Sequence, residues 1–244
     1  MQHDQYKHIS HSYRAFRDDP VTRFLELPSV LDAIGPLQGR RLLDLACGSG
    51  FYTRILRQAG AVAATGIDLS PEMIALAQDE EAQNPLGIDY RVGDAAMVQT
   101  FGEYDLVTAI FLLNYARDVA TLRAMAATLA RQLCAGGTLV TVLPNPQFRN
   151  GLGDTTAYGF SLIETARKDG AIHVKMTFHR PSPFSIEFTQ WSHGAIESAL
   201  AAEGFKEIAW LPFKLAPEGK EQFGQAFWNP LLQNPKSLVL RALK

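Results

Sequence analysis

The sequence has few cysteines, no long apolar run and only a small excess of negative charge. Its two cysteines, Cys47 and Cys134, form neither a metal-binding spacing nor a disulfide framework. The net charge of −2 provides no basic field that would attract nucleic-acid phosphates. No segment reaches the roughly 20 apolar residues that span a bilayer, and the N-terminal MQHDQYKHIS has no signal-peptide core. We therefore expect a cytoplasmic protein that binds no metal, nucleic acid or membrane.

Hydrophobic residues make up 47% of the 244 residues, which is enough to fill the core of one domain. Between residues 41 and 145, β-rich runs alternate with segments of helical periodicity, as in parallel strands joined by crossover helices. Strands are predicted at 41–46, 61–67, 88–92, 104–110 and 137–143. Helices are predicted at 51–59, 71–83 and 119–134. Ser70, Pro71 and Glu72 form a typical helix start, and Gly136 with Gly137 is expected to end the third helix.

A different pattern covers residues 146–191, where three alternating segments predict an antiparallel β insert with one wet or ligand-facing side. In its central segment, His173 and His179 alternate with apolar residues. A helix at 193–203 and strands at 206–211 and 237–243 follow. We predict an α/β fold of one domain, residues 1–244, with a Rossmann-like, seven-stranded, mostly parallel sheet and flanking helices. The predicted N-terminal helical cap is 1–38, and the insert is a lid.

The stretch DLACGSG, residues 44–50, leads from a predicted strand into a predicted helix. Such a turn directs backbone N–H groups and the positive end of a helix dipole towards a ligand. Gly48 and Gly50 allow the ligand to approach the backbone without a Cβ in the way. A dinucleotide-binding turn needs a third small residue, and Thr53 occupies that position. An NAD-type oxidoreductase is therefore the less favoured alternative.

With Asp68 and Asp94 after the next two strands, this stretch resembles the class I S-adenosylmethionine (SAM) dependent methyltransferases. The resemblance implies that Asp44 lies near the amino and ribose groups of SAM, and that Asp68 accepts hydrogen bonds from the ribose hydroxyls. It also implies that Asp94 and Ala95 bind the adenine, with Met73 against its face. The cofactor-binding residues that we predict are Tyr13, Asp44, Ala46, Gly48, Gly50, Asp68, Leu69, Met73, Asp94, Ala95 and Phe111.

The segment IFLLNYARD after the fourth strand lacks the prolines that DNA amino-methylases carry there. Together with LPNP, YGF and FWNPLLQNP further on, FLLNYA resembles a small-molecule subgroup that includes the toxoflavin-type N-methyltransferases. The resemblance implies methyl transfer from SAM to N or O of a small, planar heteroaromatic metabolite, with S-adenosylhomocysteine (SAH) as product. A methyltransferase acting on a protein or RNA is an alternative. We expect a monomer or a homodimer.

Aromatic and amide side chains are the candidates for binding a flat acceptor. The predicted substrate-binding residues are Tyr6, Asn114, Tyr115, Tyr158, Trp191 and Trp228. Tyr6 and Tyr13 are seven residues apart, which would place them on one face of the predicted N-terminal helix. Both side chains could then lie over the ligand; alternatively, the helix is amphipathic and only covers the sheet. His173 and His179 are candidate catalytic bases because imidazole titrates near neutral pH; exposed histidines on a wet strand face are the alternative.

Overall fold

The computed structural model describes residues 19–97, 100–149, 155–168, 170–179 and 183–244, and these residues form ten strands and seven α-helices. The strands are β1 (Arg41–Leu45), β2 (Ala63–Asp68), β3 (Ile88–Val92), β4 (Tyr104–Thr108), β5 (Leu133–Pro144), β6 (Phe160–Lys168), β7 (Ala171–Phe178), β8 (Phe184–Gln190), β9 (Lys206–Leu211) and β10 (Ser237–Leu243). The helices are α1 (Leu27–Ile34), α2 (Phe51–Gln58), α3 (Pro71–Gln83), α4 (Val119–Gln132), α5 (His193–Ala202), α6 (Pro217–Phe223) and α7 (Gln225–Gln233).

Seven strands form the central sheet in the order β3-β2-β1-β4-β5-β10-β9. Only β10 is reversed, since it pairs antiparallel with both β5 and β9. Helices α2, α3 and α4 connect β1 to β2, β2 to β3 and β4 to β5, and they pack against the sheet. The predicted Rossmann-like, mostly parallel α/β fold is confirmed. Because the parallel strands share one carboxyl edge, the turns after β1, β2, β3 and β4 meet there.

Helix α3 begins as the sequence predicts. Ser70 is its N-cap, with its hydroxyl 3.4 Å from the Met73 N–H, and Pro71 is the first helical residue. The predicted end of α4 at two glycines is wrong, because the helix already ends at Gln132. Gly136 and Gly137 lie within β5, where they exchange backbone hydrogen bonds with Lys244. Pairing with the C-terminal strand therefore extends the sheet through the glycine pair.

The insert forms a separate antiparallel sheet in the order β6-β7-β8, as predicted. Val174 pairs with Phe188 and Met176 with Ile186, so that one face of this sheet is apolar. This apolar face borders the cavities described below, whereas Lys175 on the opposite face is exposed. We expected the polar side, with the two histidines, to be the wet or ligand-facing one. Most of the insert residues that border the cavities lie instead on the hydrophobic side, although His173 on the polar side also borders the larger cavity.

Candidate active site

The turn after β1 and the segment after β4 both contain non-glycine residues with positive φ. Ala46 has a φ of 67° and Phe111 a φ of 56°. Such conformations are uncommon and cost free energy, and they cluster where a backbone is held in place for a ligand. Both residues border the two cavities at the carboxyl edge of the central sheet. Two turns with strained backbone conformations therefore border the candidate site.

The two glycines of the first turn have different roles. A Cβ on Gly48, which has a φ of 54°, would extend into open space. Gly50 has a φ of 80° and is the left-handed N-cap of α2. A Cβ on Gly50 would lie 2.3 Å from the Tyr90 hydroxyl oxygen. Gly48 therefore faces open space beside the cavities, whereas Gly50 leaves room for Tyr90 beneath the turn.

Asp44 is a buried carboxyl group held by two hydroxyls. Its Oδ2 accepts a hydrogen bond from Thr53 Oγ1 at 2.6 Å, and its Oδ1 accepts one from Thr108 Oγ1 at 2.8 Å. Burial raises the pKa of Asp44, and the two hydrogen bonds offset part of this rise. Thr53, which occupies the position of the third small residue of a dinucleotide-binding turn, thus also supports the carboxyl group at the end of β1.

Asp68 links the first turn to the start of α3. Its Oδ2 accepts a hydrogen bond from the Gly48 N–H at 2.8 Å, and its Oδ1 accepts one from the Ser70 N–H at 2.9 Å. These contacts fix both the turn after β1 and the orientation of the carboxylate. Asp94, after β3, accepts a hydrogen bond from the Ala96 N–H at 2.8 Å and forms an Asx turn. Both carboxylates border the same cavity.

Two adjoining cavities lie between the carboxyl edge of the central sheet and the insert. The larger has a volume of about 450 Å³ and the smaller about 150 Å³. We call the residues that border both cavities the junction. The junction consists of Ala46 and Gly48 after β1, Ile110, Phe111, Asn114 and Tyr115 after β4, and Phe188 in β8.

The larger cavity brings together most of the predicted cofactor residues. Its walls include Ala46, Gly48, Asp68, Leu69, Met73, Asp94, Ala95 and Phe111. Asp44 borders the smaller cavity instead, and Gly50 borders neither of the two. Tyr13 lies outside the described residues. The chemical types of these residues suit the portions of SAM. Carboxylates such as Asp68 and Asp94 suit the ribose and the adenine, the apolar Met73 suits the adenine face, and the open backbone at Gly48 suits the methionine portion.

The predicted acceptor residues divide into two groups. Asn114 and Tyr115 lie at the junction, whereas Tyr158, Trp191 and Trp228 border neither of the two cavities. The Tyr158 hydroxyl donates to the Phe227 carbonyl, and the two indole N–H groups also donate to backbone carbonyls, of Ala116 and Gly219. These three buried aromatic residues pack the core around the site. Tyr6 lies outside the described residues.

The two candidate bases occupy different environments. His173 borders the larger cavity, and its Nδ1 lies 3.4 Å from the Thr189 hydroxyl. His179 is exposed, and its Nε2 lies 3.0 Å from the Ser161 hydroxyl. Since His179 borders neither of the two cavities, only His173 remains near the ligand-binding region.

An ion pair in the smaller cavity was not predicted from the sequence. Lys236 Nζ lies 2.9 Å from Glu26 Oε1, and the two side chains are 13% and 5% exposed. The Lys236 ammonium also lies 5.6 Å from the centre of the Phe111 ring and 5.5 Å from that of Phe160. Because 210 residues separate the pair in the sequence, no local pattern could have indicated it.

The cysteines are not positioned for covalent chemistry. Burial raises the pKa of the Cys47 thiol well above its ordinary value, and the nearby carboxylates of Asp68 and Asp44 raise it further. Burial also raises the pKa of Cys134. A thiol with a raised pKa is a poor nucleophile at neutral pH. Within the described residues, no cluster of three or more potential metal ligands occurs, and none of the helices is long and apolar enough to cross a membrane.

Comparison with known proteins relates residues 42–137 to a family model described as a methyltransferase domain. The ubiquinone biosynthesis O-methyltransferase of Bordetella avium (strain 197N) is 36% identical over 97 residues, which cover 38% of this chain and 39% of that protein. The protein of the same name from Methylococcus capsulatus (strain Bath) is 28% identical over 210 residues, or 83% of each chain. The first of these matches thus spans well under half of the relative's length.

Solved structures share the fold along almost the whole chain. A SAM-dependent methyltransferase from Mesorhizobium loti covers 90% of this chain and 97% of its own, with a TM-score of 0.63 and 19% identity. SAM-bound CalS10, an amino pentose methyltransferase from Micromonospora echinaspora, covers 96% of this chain and 94% of its own, with a TM-score of 0.58 and 21% identity. Residues 42–137 therefore match the family model of a methyltransferase domain, and the chain shares the fold of solved SAM-dependent methyltransferases.

Proposed function

We propose that this protein transfers the methyl group of SAM to N or O of a small, planar heteroaromatic metabolite. The observation that carries the proposal is the pair of adjoining cavities, one bordered by most of the predicted cofactor residues and the other by hydrophobic side chains of the insert. SAM supplies an activated methyl group on a positively charged sulfur. The protein's main task is then to align the acceptor atom with that methyl group.

In the larger cavity, Asp68 would accept hydrogen bonds from the ribose hydroxyls, and Asp94 with Ala95 would contact the adenine. The Asp68 carboxylate is held by Gly48 and Ser70, so that it is oriented before the ligand arrives. Asp44, behind the turn, supplies negative charge near the positively charged end of the cofactor. Burial of this carboxyl group disfavours its charged form, and a nearby cation offsets that cost.

The smaller cavity would hold the acceptor. Hydrophobic side chains from the insert, including Met176, Ile186 and Phe188, form one wall, and the Glu26–Lys236 ion pair forms a polar part of another. An apolar space with few polar groups suits a flat ring system. The resemblance to the toxoflavin-type N-methyltransferases supports a heteroaromatic acceptor, and the names of the relatives support a small-molecule acceptor in general. A protein or RNA acceptor has no comparable observation in its favour.

Isothermal titration with SAM, SAH and NAD tests the proposal. We expect SAM and SAH to bind and NAD not to bind. Asp68→Asn should weaken SAH binding by roughly 10- to 100-fold, because it removes charge-assisted hydrogen bonds worth about 1.5–3 kcal/mol. Asp89→Asn, at an exposed aspartate on β3, is the matched control and should leave SAH binding unchanged. Absence of SAH binding at roughly millimolar concentration would refute the proposal.

A further inference from the structure

The junction between the two cavities has no proton acceptor among the described residues that form it. Only Asn114 and Tyr115 have polar side chains there, and neither a carboxamide nor a phenol accepts a proton at neutral pH. Charged and imidazole side chains border one cavity or the other. Those of the larger are Asp68, Asp94, Arg117, His173 and Glu187, and those of the smaller are Glu26, Asp44 and Lys236.

Asn114 has an unusual carboxamide. Its side chain lies on the 3₁₀ turn Leu113–Tyr115 and is 2% exposed, yet its Oδ1 has no hydrogen-bond partner among the described residues. Burial of a carbonyl oxygen without a donor is costly, and native proteins seldom tolerate it. Asn114 borders both cavities, so its unpartnered oxygen belongs to a residue that lies beside a ligand at the junction.

We infer that Asn114 Oδ1 accepts a hydrogen bond from an N–H group on the nitrogen that is methylated, and that the acceptor is an aromatic or heteroaromatic amine. The inference rests on the proposed function and narrows it from N or O to N. The hydrogen bond would orient the nitrogen lone pair towards the methyl carbon without removing the proton. Asn114 is therefore assigned to substrate binding and positioning, and a base at the junction is not needed.

The chemistry of the transfer separates amines from phenols. The nitrogen lone pair forms a bond to the methyl carbon while the carbon–sulfur bond breaks and its electron pair stays on sulfur, giving SAH. The product nitrogen carries the positive charge and then releases one proton to water. A phenol, in contrast, is a poor nucleophile until it has lost its proton, which requires a base beside the reacting oxygen. The junction provides a hydrogen-bond acceptor but no such base.

Matched probes test the inference in the presence of SAH. The probes are 5-aminoquinoline, 5-(dimethylamino)quinoline and 5-hydroxyquinoline, and binding is measured by isothermal titration. The wild type should bind the amino probe at least about tenfold more tightly than the dimethylamino probe, which has no N–H, since a net hydrogen bond contributes this order of selectivity. With labelled SAM, the wild type should methylate the amino probe in preference to the hydroxy probe at pH 7.

Two variants separate the role of the carboxamide from its size. Asn114→Leu fills a similar volume but accepts no hydrogen bond, so the preference for the amino probe should disappear while SAH affinity stays within about twofold. Asn114→Asp keeps an oxygen in place and should retain the preference. Because the unpartnered oxygen is lost, free Asn114→Leu should also melt about 2–4 °C above the wild type. A large structural defect would instead lower the melting temperature.

Four results would overturn the inference. They are an unchanged preference in Asn114→Leu, a lower melting temperature of that variant, faster methylation of the hydroxy probe by the wild type, and no binding of any probe to a protein that binds SAH. Failure of the wild type to bind SAH would be a different result, because it would refute the proposed methyl transfer itself.

Discussion

At the scale of a single residue, Asp44 has a buried carboxyl group that accepts hydrogen bonds from two threonine hydroxyls. Neither partner is near it in the chain: Thr53 is nine residues away and Thr108 is 64 residues away. The glycine turn pointed to Asp44 as a functional residue, but the structure alone reveals how it is held. Burial of a carboxyl group costs free energy. Its burial at the end of β1 therefore costs stability, in line with the ligand-binding role that we propose for it.

The free-energy cost of burying the Asp44 carboxylate should appear as a pH-dependent difference in stability between the wild type and Asp44→Asn. The folded-state pKa of Asp44 is raised, so the unfolded chain releases this proton at lower pH than the folded protein does. As pH rises above the ordinary value of 3.8, the wild type should lose stability relative to the variant, by at most about 1.4 kcal/mol per pH unit. Denaturant unfolding of both proteins between about pH 4.5 and 7.5 measures the difference. A constant difference across this range would contradict the expectation.

Gly48→Ala and Gly50→Ala form a matched pair of substitutions. Gly50→Ala adds a collision with Tyr90 to the strain of a positive φ and should cost about 2–4 kcal/mol of unfolding free energy. Gly48→Ala carries only the strain, about 1–2 kcal/mol, but its methyl group enters the proposed cofactor space and should weaken SAH binding. Urea unfolding and SAH titration separate the two effects. Equal unfolding losses would contradict the assigned role of Tyr90.

At the scale of elements, the positions of the strands and of most helices can be predicted from local sequence patterns. Alternating hydrophobic residues and a proline-led helix start identify β1 to β5 and α3 because these signals involve neighbours in the chain. Helices α6 and α7 were not predicted, since Pro230 lies inside α7 and Gly224 separates the two. Their stability comes from tertiary contacts, in particular Trp228, which packs against Phe24 and Phe223. Packing of this kind is not visible in a local pattern.

The ion pair between Glu26 and Lys236 joins the π-helical turn Thr22–Glu26 to the start of β10. Lys236→Met should destabilise the protein by about 3–5 kcal/mol, because it leaves the Glu26 carboxylate buried without its cation. Adding Glu26→Leu should recover most of that loss. Denaturant unfolding of the single and double variants measures both changes. If the double variant were no more stable than the single one, the ion pair would not account for the loss.

Substitutions on the two faces of the insert should have different effects on acceptor binding. Met176→Gln changes the apolar face beside the smaller cavity and should weaken binding of 5-aminoquinoline to the SAH-bound protein by about 10- to 100-fold, given the hydrophobic contribution of a buried methionine. Lys175→Gln, on the exposed face of the same strand, is the control and should bind as the wild type does. Titration of both variants measures the effect. Equal losses would argue against the apolar face as an acceptor wall.

The whole molecule brings residues from distant parts of the chain to one carboxyl edge. That the proposed cofactor residues at the ends of β1, β2 and β3 lie close together could be predicted, because the carboxyl ends of parallel strands share one edge of the sheet. Of the predicted acceptor residues, Asn114 and Tyr115 lie at the junction, whereas Trp191 and Trp228 pack in the core. Large aromatic residues suit either role, and only the three-dimensional arrangement distinguishes a ligand-binding ring from a packing one.

A crystal structure with bound SAH tests the central claim most directly. We expect the adenosine portion in the larger cavity, with the ribose at Asp68 and the adenine at Asp94, and the sulfur at the junction facing Asn114. That position would direct the methyl group of SAM into the smaller cavity. Adenosine in the smaller cavity, or a sulfur remote from the junction, would contradict the proposed division between cofactor and acceptor.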